Sequence, residues 1–204
     1  MKDAPALVFV VDDDPSVLRA LDRTLRASGL TVEVFSSPDA FLARPRYRGP
    51  ACLITDLRMP GMSGLELQQI LNHSGYKLPV IFISGHGDIP TTVRAVKAGA
   101  VDFLTKPFVR DQLLASVESA IRYHRGVLAE EQLLEERRAR FGLLTPREQE
   151  VCLLVGRGLL NKQIAAELGA AEKTIKVHRA RVMSKLGVGS VAQLVDLLRE
   201  IGAR

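Results

Sequence analysis

Leu7-Val8-Phe9-Val10-Val11-Asp12-Asp13-Asp14 is the stretch on which the fold turns: five consecutive apolar residues run straight into three carboxylates. So short and unbroken a run suits a strand covered on both faces, as in a parallel sheet; a half-exposed strand would alternate. Working outward, similar runs recur at Val32–Phe35, Cys52–Thr55, Val80–Ser84 and Phe103–Thr105. Between them apolar residues fall at helical spacing: Val17, Leu18, Leu21 and Leu25, then Leu65, Leu67, Ile70 and Leu71. Strands alternating with helices predict βαβ units and hence a doubly wound five-stranded parallel sheet.

Sheets of this kind bind ligands outside the carboxyl ends of their strands, near the point where strand order reverses. In the order 2-1-3-4-5, Asp12, Asp13 and Asp14 end the first strand, Asp56 the third, Ser84 the fourth and Lys106 the fifth. Clustered carboxylates repel one another unless a cation is present. Hard oxygen donors with room for water and phosphate oxygens suit Mg2+. One carboxylate is then free to act as a nucleophile on a phosphoryl donor, while metal and lysine balance the charge on the transferred group. Singly, each residue has an ordinary explanation. An Asp run caps a helix or lines a turn, Asp56 is a turn residue before Arg58-Met59-Pro60-Gly61, and Lys106 is a surface lysine. Unrelated turns would not bring all of them to the ends of those strands.

From Val109 the pattern becomes helical: Leu114, Val117, Ile121, His124 and Leu128 are followed by Glu130, Glu131, Glu135 and Glu136 among Arg137, Arg138 and Arg140. This reads as one long helix that continues as a charged linker over residues 123–142, with Gly126 as its weak point. A flexible tether is the competing reading, although the Gly, Ser and Pro enrichment of such tethers is missing. Cys52 and Cys152 lie among apolar residues without partners at ligand spacing, so free buried thiols in a reducing cytoplasm are expected. The longest apolar runs are too short to span a membrane, and Met1-Lys2-Asp3 is unlike a secretory signal.

The remaining residues, 143–204, read as four helices. Thr145-Pro146-Arg147-Glu148 is a capping box with Pro at the first helical position. Helices near 161–168 and 172–186 are joined by a three-residue turn, and a last one covers 190–201. Residues 161–187 hold 6 basic and 2 acidic side chains, which suggests a polyanionic partner or a merely solvated basic face. On a helix over 172–186, Lys176, Arg179 and, further round, Lys173 share one side, while Ile175, Val182 and Leu186 form the core stripe. Two helices so joined suit a helix-turn-helix.

Val10-Val11-Asp12-Asp13-Asp14, Thr55-Asp56-Leu57-Arg58-Met59-Pro60-Gly61-Met62-Ser63-Gly64 and Thr105-Lys106-Pro107-Phe108 resemble the signature blocks of response-regulator receiver domains. The resemblance implies a flavodoxin-like receiver over residues 1–122, with Asp56 as phosphoacceptor. It implies that Asp12 and Asp13 form the acidic pocket and that Asp13, Asp56 and the Arg58 backbone carbonyl hold Mg2+. Lys106, preceding a cis bond to Pro107, would contact the phosphoryl group, with Ser84 and Phe103 as switch residues. Asp14 is left as a helix cap. Ser84-Gly85-His86-Gly87-Asp88-Ile89-Pro90 resembles the FixJ branch, with a helix starting at Asp88.

Leu144-Thr145-Pro146-Arg147-Glu148, Asn161-Lys162-Gln163-Ile164-Ala165 and Lys173-Thr174-Ile175-Lys176-Val177-His178-Arg179 resemble the LuxR/NarL-type helix-turn-helix. That likeness implies that Lys176, Val177 and Arg179 face the major groove of double-stranded DNA. Asn161, Lys162, Thr174, Arg181 and Lys185 would contact phosphates or backbone, and the last helix would serve the core and dimerisation. Two departures stand out: Ala171 occupies the cap before the recognition helix, and Leu160 replaces a small or polar residue, leaving Asn161 as the expected cap. Together the resemblances imply a transcriptional regulator, expected to be an activator rather than an enzyme. Its expected partners are a sensor histidine kinase, DNA, RNA polymerase and, once phosphorylated, a second copy. The rival readings are a DNA-binding protein with a vestigial pocket and a Mg2+-dependent phosphotransferase.

Overall fold

Successive side chains of a strand point to opposite faces of its sheet, and the apolar runs of this chain feed two separate cores in that way. The computed structural model describes residues 4–85 and 99–203. Its strands are β1 (Leu7–Val11), β2 (Thr31–Phe35), β3 (Ala51–Asp56), β4 (Val80–Ser84) and β5 (Asp102–Thr105). All pair in parallel, in the order β2-β1-β3-β4-β5. Val8, Val10, Cys52, Ile54, Ile81 and Ile83 face one core. Phe9, Val11, Leu53, Val80 and Phe82 face the other. β1 and β4 are buried along their whole length, as expected of strands covered on both faces.

Helices α1 (Pro15–Ala27) and α4 (Arg110–Gly142) cover the first face through Leu18, Leu21 and Leu25 and through Leu113, Val117 and Ile121. Helices α2 (Pro38–Leu42) and α3 (Gly64–His73) cover the second through Phe41, Leu67 and Leu71. The short α2 is absent from the sequence reading, because five residues are too few to display helical spacing. Its signal is the cap: Ser37 accepts from the Ala40 N–H at 3.2 Å, with Pro38 in the first turn. Asp14 caps α1, accepting from the Ser16 N–H at 2.7 Å. α4 runs through Gly126 without a break, as a helix and not the alternative tether.

The chain divides into two compact units, Met1–Leu128 and Ala129–Arg204. In the second, α5 (Pro146–Gly156), α6 (Asn161–Glu167), α7 (Glu172–Leu186) and α8 (Val191–Ile201) enclose their own core around Val151, Ile164, Ile175, Val182 and Leu194. The expected capping box at Thr145 is formed, with Glu148 donating its N–H to Thr145 and accepting the Thr145 N–H. Gly187, in the left-handed region at φ 67°, closes α7. Cys52 and Cys152 are free, buried thiols in different cores, and burial pushes their pKa values up to about 12 and about 11. No described helix is long and apolar enough to cross a membrane. His86, Gly87 and the helix start at Asp88, like Met1-Lys2-Asp3, lie outside the described residues.

Candidate functional site

The carboxyl ends of β1, β3 and β5 are neighbours because β1 pairs with β3, β3 with β4 and β4 with β5. That register brings three charged groups into one cluster. Lys106 Nζ lies 3.0 Å from Asp12 Oδ2 and 2.8 Å from Asp56 Oδ1. The remaining oxygens are also engaged: Asp12 Oδ1 accepts the Asp14 N–H at 2.9 Å, and Asp56 Oδ2 accepts the Arg58 N–H at 2.7 Å. Lys106 is steered by its own backbone, whose N–H donates to the Ser84 carbonyl at 2.8 Å, and its peptide bond to Pro107 is cis. Gly64 lets α3 start against the end of β3; a Cβ there would clash with the Asp56 carbonyl and touch Phe82 and Thr55.

Burial is the first influence on charge here. Desolvation raises the Asp12 pKa, the Asp14 N–H and Lys106 oppose that rise, and Asp56 adds to it. For Lys106 burial alone would disfavour the cation, yet hydrogen bonds to Asp56 and Asp12 hold its pKa above the usual value. Asp12 is enclosed, whereas Asp56 keeps its side chain 13% exposed. The arrangement therefore presents one reachable carboxylate beside a fixed ammonium group. Ser84 is buried at the end of β4, and Phe103 is half-buried against the second core. Asp13 is exposed and outside this hydrogen-bonded network. Among the described residues no three acidic, histidine or cysteine groups close into a metal cage.

The second cluster lies on α6 and α7. Lys162, Lys173, Thr174, Lys176, Val177 and Arg181 are exposed, with Val177 at 44% an apolar residue on a basic face. Ile175, Val182 and Leu186 point inward, as their spacing requires. Arg179 is half-buried and donates from Nη1 to Asn161 Oδ1 at 3.0 Å, tying the two helices together.

Asn161 is not the cap of α6. Leu160 takes that position without a side-chain bond to the helix, and its own N–H donates to Gln163 Oε1 at 2.8 Å. Asn161 is thereby freed to receive Arg179. Ala171 likewise caps α7 with no side-chain bond. Lys185 is turned toward α5, where its Nζ lies 2.6 Å from Oε2 of the buried Glu148. That pairing spans 37 residues, so no local pattern announces it; Glu148 reads in sequence only as a capping-box residue.

Two family models match the chain. Residues 8–118 match the response regulator receiver domain, and residues 142–198 match the luxR family of bacterial regulatory proteins. The response regulator protein TodT of Pseudomonas putida is 45% identical over 201 residues, covering 98% of this chain and 88% of that one. The transcriptional regulatory protein FixJ of Bradyrhizobium diazoefficiens is 38% identical over 195 residues, covering 96% and 95%. The low-resolution structure of the response regulator StyR is 47% identical with a TM-score of 0.81, covering 97% of this chain and all of that one. With a parallel five-stranded unit followed by a helical one and both models matched in that order, the chain belongs to the two-component response regulators that join a receiver domain to a luxR-family DNA-binding domain.

Proposed function

We propose that Asp56 is the phosphoacceptor of this regulator and that its phosphorylation governs DNA binding by α6 and α7. The observation that carries the reading is the pair of contacts from Lys106 Nζ to Asp12 and Asp56, which leaves Asp56 the accessible carboxylate. An oxygen of Asp56 forms a bond to phosphorus as the phosphorus–nitrogen bond of a histidine kinase's phosphohistidine breaks, giving an acyl phosphate. Lys106 offers its ammonium to the transferred oxygens, and Ser84 and Phe103 respond to the new group. The protein turns over no exogenous substrate.

Asp12 and Asp56, with the exposed Asp13 next to Asp12 in the chain, are hard oxygen donors of the kind that Mg2+ takes. Asp12, Asp13, Asp56 and the Arg58 carbonyl would hold it. When bound, the ion neutralises charge on the phosphoryl oxygens.

Residues 1–122 form the receiver in this proposal, 123–142 the linker and 143–204 the DNA-binding domain. Lys176, Val177 and Arg179 read bases in double-stranded DNA, while Lys162, Lys173, Thr174 and Arg181 hold phosphates. Asn161 acts by positioning Arg179, and Lys185 contributes through Glu148 more than through DNA. Phosphorylation favours a homodimer, which recruits RNA polymerase in the cytoplasm as an activator. Selection from a random DNA pool by the full chain, with and without acetyl phosphate and Mg2+, tests the whole reading. Enrichment of one paired sequence only with the phosphodonor is the expected result. Equal enrichment without it, or with Asp56→Asn, would overturn the coupling.

A further inference from the structure

At the edge of the sheet opposite Asp56, where α2 and α3 end, two arginines meet. Arg44 is half-buried and lays its guanidinium on aromatic faces, with Cζ 3.7 Å from the Phe9 ring centre and 4.8 Å from that of Phe41. Its Nη1 donates to the Pro45 carbonyl and its Nη2 to the Tyr76 hydroxyl at 3.3 Å. Its Nε is buried, and no acceptor among the described residues reaches it. Arg46 donates to the Ser74 carbonyl at 2.7 Å and stands 5.4 Å from the Tyr76 ring centre. Neither arginine forms an ion pair among the described residues.

Stacking accounts for the face of the Arg44 guanidinium, and Pro45 and Tyr76 for its two Nη groups, but its Nε–H is left without an acceptor among the described residues. A ring attracts the cation through its face, whereas an N–H withdrawn from water needs an acceptor in its own plane. Both arginines line one cavity of about 190 Å³, with their partners Ser74 and Tyr76 on one side and the apolar Phe41, Leu42, Ile70 and Leu71 on the others. That volume is below the usual range of about 300–1,000 Å³ for drug-sized ligands, so an occupant must be compact. Two cations call for an anion, and a planar guanidinium edge matches a carboxylate. Four apolar walls call for an apolar body and disfavour a bare inorganic ion.

We infer that this cavity, lined by Arg44 and Arg46, binds a compact carboxylate with an apolar body. The site shares no residue with the Asp12, Asp56 and Lys106 cluster, so its fate is independent of the phosphorylation reading.

Benzoate is a suitable probe, titrated into the full chain while arginine Nε–H resonances are followed by nitrogen-15 NMR. The Arg44 resonance, identified by its loss in Arg44→Lys, should shift saturably with benzoate but not with neutral benzamide or with inorganic phosphate. Arg46→Gln, an exposed change that leaves the core intact, should weaken binding at least about tenfold, the equivalent of one charge-assisted bond. Absence of a saturable shift would overturn the inference. An equal response to benzamide, or to phosphate as an adventitious ion only, would overturn it too, as would undiminished affinity in Arg46→Gln.

Discussion

Glu148 Oε2 lies 2.6 Å from Lys185 Nζ and also accepts the Thr145 N–H at 2.9 Å. One carboxylate thus closes the first turn of α5 and fastens the last turn of α7. Lys185 and the Thr145 N–H together lower the Glu148 pKa from 4.5 to about 2.

A depressed carboxylate stabilises the fold above its unfolded pKa, and the contribution is lost as pH falls toward the folded value. The window therefore runs from about 4.5 down to about 2. Glu148→Gln should melt at a lower temperature than wild type near neutrality, and the gap should narrow through that window. A gap independent of pH would mean that Glu148 acts through packing alone.

Asp56→Asn should lose all Mg2+-dependent labelling by acetyl phosphate without loss of stability. Asp56 adds to the repulsion felt by Asp12, so removing its charge leaves Lys106 to a single carboxylate. Mass spectrometry reads the label, and a thermal melt reads the fold. A label that persisted at another residue would remove Asp56 from the chemistry.

Gly64→Ala should impair labelling from outside the charged cluster. Its Cβ would collide with the Asp56 carbonyl, and backbone cannot yield as a flexible side chain would. The initial rate of labelling should fall while the melting curve stays cooperative. An unchanged rate would show that the start of α3 can retreat without disturbing Asp56.

Ala171→Ser should stabilise the recognition helix, since Ala171 caps α7 with no side-chain bond. A serine hydroxyl can accept one of the first N–H groups, worth about 0.5–2 kcal/mol. Urea denaturation of the second unit should show its midpoint rise. A midpoint unchanged or lowered would imply that the first turn is satisfied in another way.

On DNA, Arg181→Ala should weaken binding to all sequences alike and reduce the salt dependence by roughly one phosphate contact. Lys176→Ala should instead relax preference at particular bases, by about 1–3 kcal/mol per lost contact. Arg179→Ala should do both, because it also releases Asn161. Salt-dependent binding to matched and altered sites separates the three. Identical behaviour of Lys176→Ala and Arg181→Ala would contradict the division between bases and phosphates.

The sheet and its charged edge are legible in the sequence because each depends on local pattern. Unbroken apolar runs mark β1 and β4, and Asp12, Asp56 and Lys106 follow at strand ends where parallel pairing must gather them. What stays hidden depends on distance or on brevity. α2 is shorter than two helical turns, and Lys185 meets Glu148 only because α5 and α7 fold together. Residue type alone gives the α6 cap to Asn161, whereas a leucine holds that place with its own N–H bonded to Gln163 and no side-chain acceptor for the first turn. Arg44 resembles any basic loop residue until Phe9 and Phe41 are found beneath it.

The two buried cysteines make the protein its own pair of clocks. Thiol reagents capture the thiolate, so each residue stays silent until its surroundings open. Cys52 sits in the first unit and Cys152 in the second. Timed alkylation followed by peptide mapping would therefore give separate opening rates for the two halves of an unmodified chain. Whether a phosphate on one half slows or hastens the opening of the other could then be timed directly, with no residue of the chain replaced.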